Sequence, residues 1–138
     1  MVGQSYRLPM APRANYAHAK RVGDFIFISG VAARQSDNSI PGAEVDALGT
    51  VRLDIGRQTE ATIANLRAAL QLAGADLGDL CALDCYLVSM NDFGGFNEVY
   101  NRIFTGLDTP TRTTVAVHQL PHPHLLVEIK GVAYKPAG

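Results

Sequence analysis

Two charged residues stand in runs that otherwise alternate like β-strands: Arg112 in TRTTVAVHQL and Glu128 in LLVEIKGVAYKP, with His118, His122 and His124 between them. An arginine's planar fork can take a carboxylate through two parallel hydrogen bonds. A glutamate among apolar neighbours acquires a raised pKa that suits proton exchange with water near neutral pH. The pair could therefore anchor an anionic substrate and move protons at the adjacent carbon. The HxxxHxH spacing also invites a zinc or copper site, since imidazole is a common ligand for both. Against that, Pro121 and Pro123 keep the segment irregular, and no local carboxylate or thiolate completes a ligand set.

The strands must position these groups. Alternation over 112–118 puts Val115 and Val117 on one face and Arg112, Thr114, Ala116 and His118 on the other. Over 125–133 it puts Leu125, Val127 and Ile129 on one face and Leu126, Glu128 and Lys130 opposite. A lone charge on a strand is usually solvated, and Glu128 has Lys130 as a same-face partner. Two helices, however, cover only one face of a sheet. The other face, with Leu126, Ala116 and Thr114 among its charges, is too apolar to be left in water. Packing such faces together in a homo-oligomer would place the charges in clefts between subunits.

The remaining elements follow from periodicity and turn chemistry. YAHAKRVG and DFIFISG read as a hairpin turning at Gly23–Asp24. QSDNSIPGAEVDALGT is a surface loop, followed by a short extended piece at Val51–Leu53. Ile63, Leu66, Leu70 and Ala73 recur at helical spacing, with Asp54 as the N-terminal cap and Gly74 as the stop. LCALDCYLVSM is a buried strand, and Asp92 precedes a second helix bearing Phe93, Phe96, Tyr100 and Ile103. The predicted order is β-β-(β)-α-β-α-β-β, an α+β layering with helices on one sheet face.

A chain of 138 residues suits one domain spanning 1–138. With 47% hydrophobic residues and a formal charge of −1, it is neither a disordered chain nor a strongly basic nucleic-acid binder. No apolar run approaches the ~20 residues of a membrane span, and the N-terminal stretch lacks the unbroken apolar core of a signal peptide, so a cytoplasmic location is expected. Cys81 and Cys85, four apart on a strand, would lie about 13 Å apart, too far to bridge, and read as reduced packing residues.

The segments YAHAKRVGDFIFISG, NDFGGFNEVY, TPTRTTVAVHQLP and VEIKGVA strongly resemble the Rid (YjgF-type) family of enamine/imine deaminases, once described as translation inhibitors or endoribonucleases. RTTVAVHQLPHP, VEIKGVAYKP, GADLGD and YLVSMNDF look most like the 2-aminomuconate deaminases of aromatic-compound and tryptophan catabolism within it. The resemblance implies a chorismate-mutase-like α+β fold, a mixed sheet with two helices on one face, assembled as a homotrimer with active sites between subunits. By the same resemblance, Arg112 clamps a substrate carboxylate and Glu128 holds the hydrolytic water. Tyr16, Gly30 and Asn97 fall on site-lining positions, and Thr114 stands where many members have cysteine. The HPH connection is one residue longer than in common members.

The implied reaction is hydrolysis of an enamine or imine carboxylate to a 2-oxo acid and ammonia, which requires neither metal nor redox cofactor. The second carboxylate of 2-aminomuconate would need a receiver, for which His18, Arg34 or a histidine of 118–124 are candidates. A general deaminase of small reactive imino acids would share Arg112 and Glu128. A non-enzymatic ligand-binding protein is the alternative outside catalysis.

Overall fold

The computed structural model describes residues 3–9 and 14–138; the stretch inspected for a leader lies partly outside them. β1 (Gln4–Tyr6), β2 (Ala19–Val22), β3 (Phe25–Val31), β6 (Leu80–Leu87), β7 (Thr111–Ala116) and β8 (Val127–Tyr134) form a six-stranded sheet in the order β1-β2-β3-β8-β6-β7. β6 and β7 run parallel and the other neighbours antiparallel, so the sheet is mixed. β4 (Ala43–Val45) and β5 (Val51–Leu53) pair separately.

α1 (Ile55–Leu72) starts where Asp54 Oδ1 accepts the amide of Arg57 at 3.1 Å, and stops before Gly74, whose φ of +85° lets the chain turn away. Its Ile63, Leu66 and Leu70 are fully removed from water, each contributing roughly 1.5–3 kcal/mol of transfer free energy. They meet Ile26 and Ile28 of β3, Leu83, Cys85 and Leu87 of β6, and Val127 and Ile129 of β8. α2 (Phe93–Phe104) adds Phe96, Tyr100 and Phe104 to the same core. This is the α+β layering expected, with both helices on one face.

Three details differ from the sequence reading. β1 and β4 are additional three-residue strands, too short and too exposed to show a period. The strand read as 112–118 is Thr111–Ala116, and the one read as 125–133 is Val127–Tyr134. The third is a correction of faces. Arg112, Thr114 and Ala116 lie in register with Leu83, Cys85 and Leu87, so they turn toward the helices, not toward the open face with Glu128. Val115, read as an inward residue, is 43% exposed. β7 is an edge strand beyond α1, where the helix layer accepts an arginine.

Candidate active site

Glu128 stands on the open face of β8, half buried, and desolvation raises its pKa above the ordinary glutamate value. Beside it the pairing of β3 with β8 slips between Ile28 and Val31, a bulge containing Gly30. A Cβ on Gly30 would lie 2.7 Å from Glu128 Oε2, so the missing side chain makes room for the carboxylate. Ser29 ties the preceding arm to this bulge: its amide donates to the His18 carbonyl at 3.0 Å and its hydroxyl to the Ala17 carbonyl at 2.7 Å. A pocket of about 290 Å³ results, in which Tyr16, His18, Gly30, Arg34 and Asn65 surround Glu128. Among the described residues, Glu128 forms no ion pair with Lys130.

His18 is only 5% exposed; its Nδ1 accepts the amide of Leu8 at 3.0 Å, which leaves the proton on Nε2. Burial, then the charges of Arg7 and Arg34, lower its pKa and keep the ring neutral. Arg34 donates from Nη1 to Asn38 Oδ1 at 2.9 Å and has no carboxylate partner among the described residues. Asn65 braces that wall by donating to the carbonyls of Ala32 and Arg34 at 2.8 and 3.1 Å.

Arg112 belongs to a second cluster on the other face. Its guanidinium carbon lies 4.7, 5.3 and 5.8 Å from the ring centres of Tyr100, Phe96 and Phe93. These rings hold the cation by their negative faces, and no acid of the described residues neutralises it. Asn97 Oδ1 and Thr114 Oγ1 are buried nearby without a formed hydrogen bond. Thr114 adjoins the thiol of Cys85, its register partner on β6. Burial pushes that thiol up to about 11, so this sulfur is a neutral packing group at physiological pH.

The residues named from sequence therefore divide in two. Tyr16, His18, Gly30 and Arg34 gather around Glu128; Asn97 and Thr114 go with Arg112. A single chain does not bring the two charges to one cavity. His118, His122 and His124 line no part of the pocket, and no group of three or more metal-ligating side chains occurs among the described residues. His124 instead donates its amide to His122 Nδ1 at 3.0 Å. Sequence reasoning overlooked Asn65 as part of the site and took Tyr100, Phe96 and Phe93 for packing alone. A polar residue inside the apolar stripe of α1 was the available signal for the first, and three aromatics at helical spacing near an arginine strand for the others.

The profile of the family described as Endoribonuclease L-PSP matches residues 7–135. The chain belongs to this family, the Rid family named in the sequence reading. A RutC family protein of Pyrococcus abyssi is 38% identical over 124 residues, covering 90% of this chain and 89% of the relative. TdcF of Escherichia coli, to which a reactive-intermediate deaminase activity is ascribed, is 28% identical over 124 residues and 88% of each chain. The crystal structure of TdcF with bound serine matches this Rid protein with a TM-score of 0.76 at 26% identity, covering 98% of both chains. YyfA of Yersinia pestis, described as a Rid protein of unknown function, gives 0.81 at 26% identity over 96% and 98%. The expected fold is thus that of the Rid family.

Proposed function

We propose that this Rid protein is a homotrimeric enamine/imine deaminase whose active site joins the Glu128 pocket of one subunit to the Arg112 cluster of the next. The observation that carries the reading is chemical complementarity across a separation: among the described residues, an acid with no ion-pair partner on one sheet face, and a guanidinium with no acid partner on the other. Neither half is useful alone. Together they hold a 2-imino carboxylate by its carboxylate and present the imine carbon to water.

In that arrangement an enamine first tautomerises to its imine, carbon gaining a proton as nitrogen gives one up. Water then adds to C2 as Glu128 removes its proton. Glu128 returns that proton to nitrogen to complete the carbinolamine, then passes the hydroxyl proton to the same nitrogen as the C–N bond breaks, releasing ammonia and the 2-oxo acid. Arg112 fixes the carboxylate, with a charge-assisted hydrogen bond worth roughly 1.5–3 kcal/mol. Tyr16 closes the open side, and Asn97 and Thr114 supply polar atoms to the ligand.

The favoured substrate is 2-aminomuconate, giving 4-oxalocrotonate. Its distal carboxylate is received by Arg34, with the Nε2–H of neutral His18 as a second donor, since both line the Glu128 pocket while the three downstream histidines do not. Serine bound in TdcF, a smaller ligand with one carboxylate, favours the alternative of a general deaminase of small imino acids. Ammonia release from enzymatically generated 2-aminomuconate and from 2-iminopropanoate, corrected for spontaneous hydrolysis, separates the two. Faster turnover of 2-iminopropanoate rejects the dicarboxylate preference, and acceleration of neither rejects the deaminase.

A further inference from the structure

Gln58 lies in the first turn of α1 with 0% exposure, yet its amide is bonded to backbone outside the helix. Nε2 donates to the carbonyl of His124 at 2.7 Å and, more weakly, to that of Gly42 at 3.4 Å; Oε1 accepts the amide of Leu126 at 2.8 Å. Gly42 makes this reach possible: a Cβ there would sit 2.6 Å from Gln58 Cγ. A buried, fully satisfied amide of this kind fixes what it touches, because breaking either bond leaves polar atoms stranded away from water.

What it touches is the irregular segment between β7 and β8. Pro121 and Pro123 have no amide hydrogen to give to a ladder. Pro121 and Leu125 form part of the wall of the Glu128 pocket, and Leu126 lies two residues before Glu128 itself.

We propose that Gln58 is a positioning residue which, by clamping the backbone of 124–126 to α1, holds the pocket wall over Glu128 and limits the access of bulk water to its carboxylate. The proposal rests on reading Glu128 as the proton-transfer group. Within one subunit the titratable or charged groups facing Glu128 are Tyr16, His18 and Arg34 across the pocket, Tyr86 opposite it on β6, Lys130 on its own strand and Asp84 opposite Lys130, and the proposed trimer adds Arg112 of the neighbouring subunit. None lies on the clamped segment. Releasing that segment changes the hydration of Glu128 without removing a charge from around it.

Gln58→Met conserves length and removes both strong bonds. With the Glu128 carboxyl followed by carbon-13 NMR and assigned through Glu128→Gln, its titration midpoint should move down toward the ordinary glutamate range, with the acid limb of the deamination profile moving the same way. A folded Gln58→Met whose Glu128 midpoint stays at the wild-type position overturns the proposal. Hydrogen exchange on the wild type tests the clamp independently of that variant's folding: the Leu126 amide should be as protected as that of Ile129 in the core. Exchange as fast as an exposed loop amide overturns it. A midpoint that moves in a protein whose wild type deaminates nothing supports the clamp and rejects only the deaminase reading.

Discussion

Glu128 can lie across β3 only because residue 30 has no side chain, and this gives a sharp test of its role. In Gly30→Ala the new Cβ meets Oε2 at 2.7 Å, but the obstacle is the far end of a flexible chain, so the carboxylate moves and the backbone stays. Turnover should fall by about tenfold to a hundredfold while the melting temperature changes by a few degrees at most, read by steady-state assay and thermal melt. Wild-type turnover in this variant would exclude a position-critical Glu128. The pH profile has a defined sign. As the proposed proton acceptor Glu128 has to be ionised to take a proton from water, and burial raises its pKa, so kcat/KM should fall as pH drops through a midpoint above the ordinary 4.5. Arg112 depends on its rings in a similar way. Tyr100→Phe keeps the surface beneath the guanidinium and should retain wild-type KM, whereas Tyr100→Leu should raise KM about 2- to 30-fold, the equivalent of a cation–π contact worth ~0.5–2 kcal/mol. At this scale the candidate residues were legible in residue types. Arg112 and Glu128 stood out because a charge interrupted an apolar alternation. Which face each occupied was not legible, because apolar Val115 is an exposed edge residue and the core side of β7 is filled by Arg112 and Thr114.

The elements show where periodicity is informative and where it is silent. α1 was readable from its stripe, its Asp54 cap and its Gly74 stop, since all three act locally. β1 was not, because three residues are too few to show a period and are placed by pairing with Ala19–Arg21 and, at Tyr6, by packing against the core, contacts made far along the chain. The end of β1 is tied to His18 through the Tyr6 carbonyl and the Leu8 amide, and that anchor titrates. Its folded pKa lies below 6.5, so on acidification the unfolded chain takes up the proton first. The stabilisation is fully present above pH 6.5 and is lost as pH falls from there through the lowered folded value. Wild-type protein should therefore lose stability as pH falls below 6.5 in urea titrations, and His18→Gln should flatten that dependence. Equal slopes for the two proteins would remove His18 as the cause.

Across the whole molecule the open sheet face is the dominant unsatisfied feature. Phe25, Phe27 and Tyr134 are 45%, 48% and 48% exposed, and Phe25 and Tyr134 already pack edge to face at 5.2 Å. Such a patch is costly in water and suits burial against another copy. Phe27→Lys should yield a folded monomer by sedimentation with deaminase activity lost, because the two half-sites then no longer meet. The same division supplies the most direct test of the account. Arg112→Ala and Glu128→Ala subunits, each inactive alone, should be denatured together, refolded as mixed trimers and assayed on the enamine substrate. Sites that draw Arg112 from one subunit and Glu128 from another predict recovery of about a quarter of wild-type activity at equal mixing, from random assortment in a cyclic trimer. Verified mixed trimers that remain as inactive as either parent would contradict it.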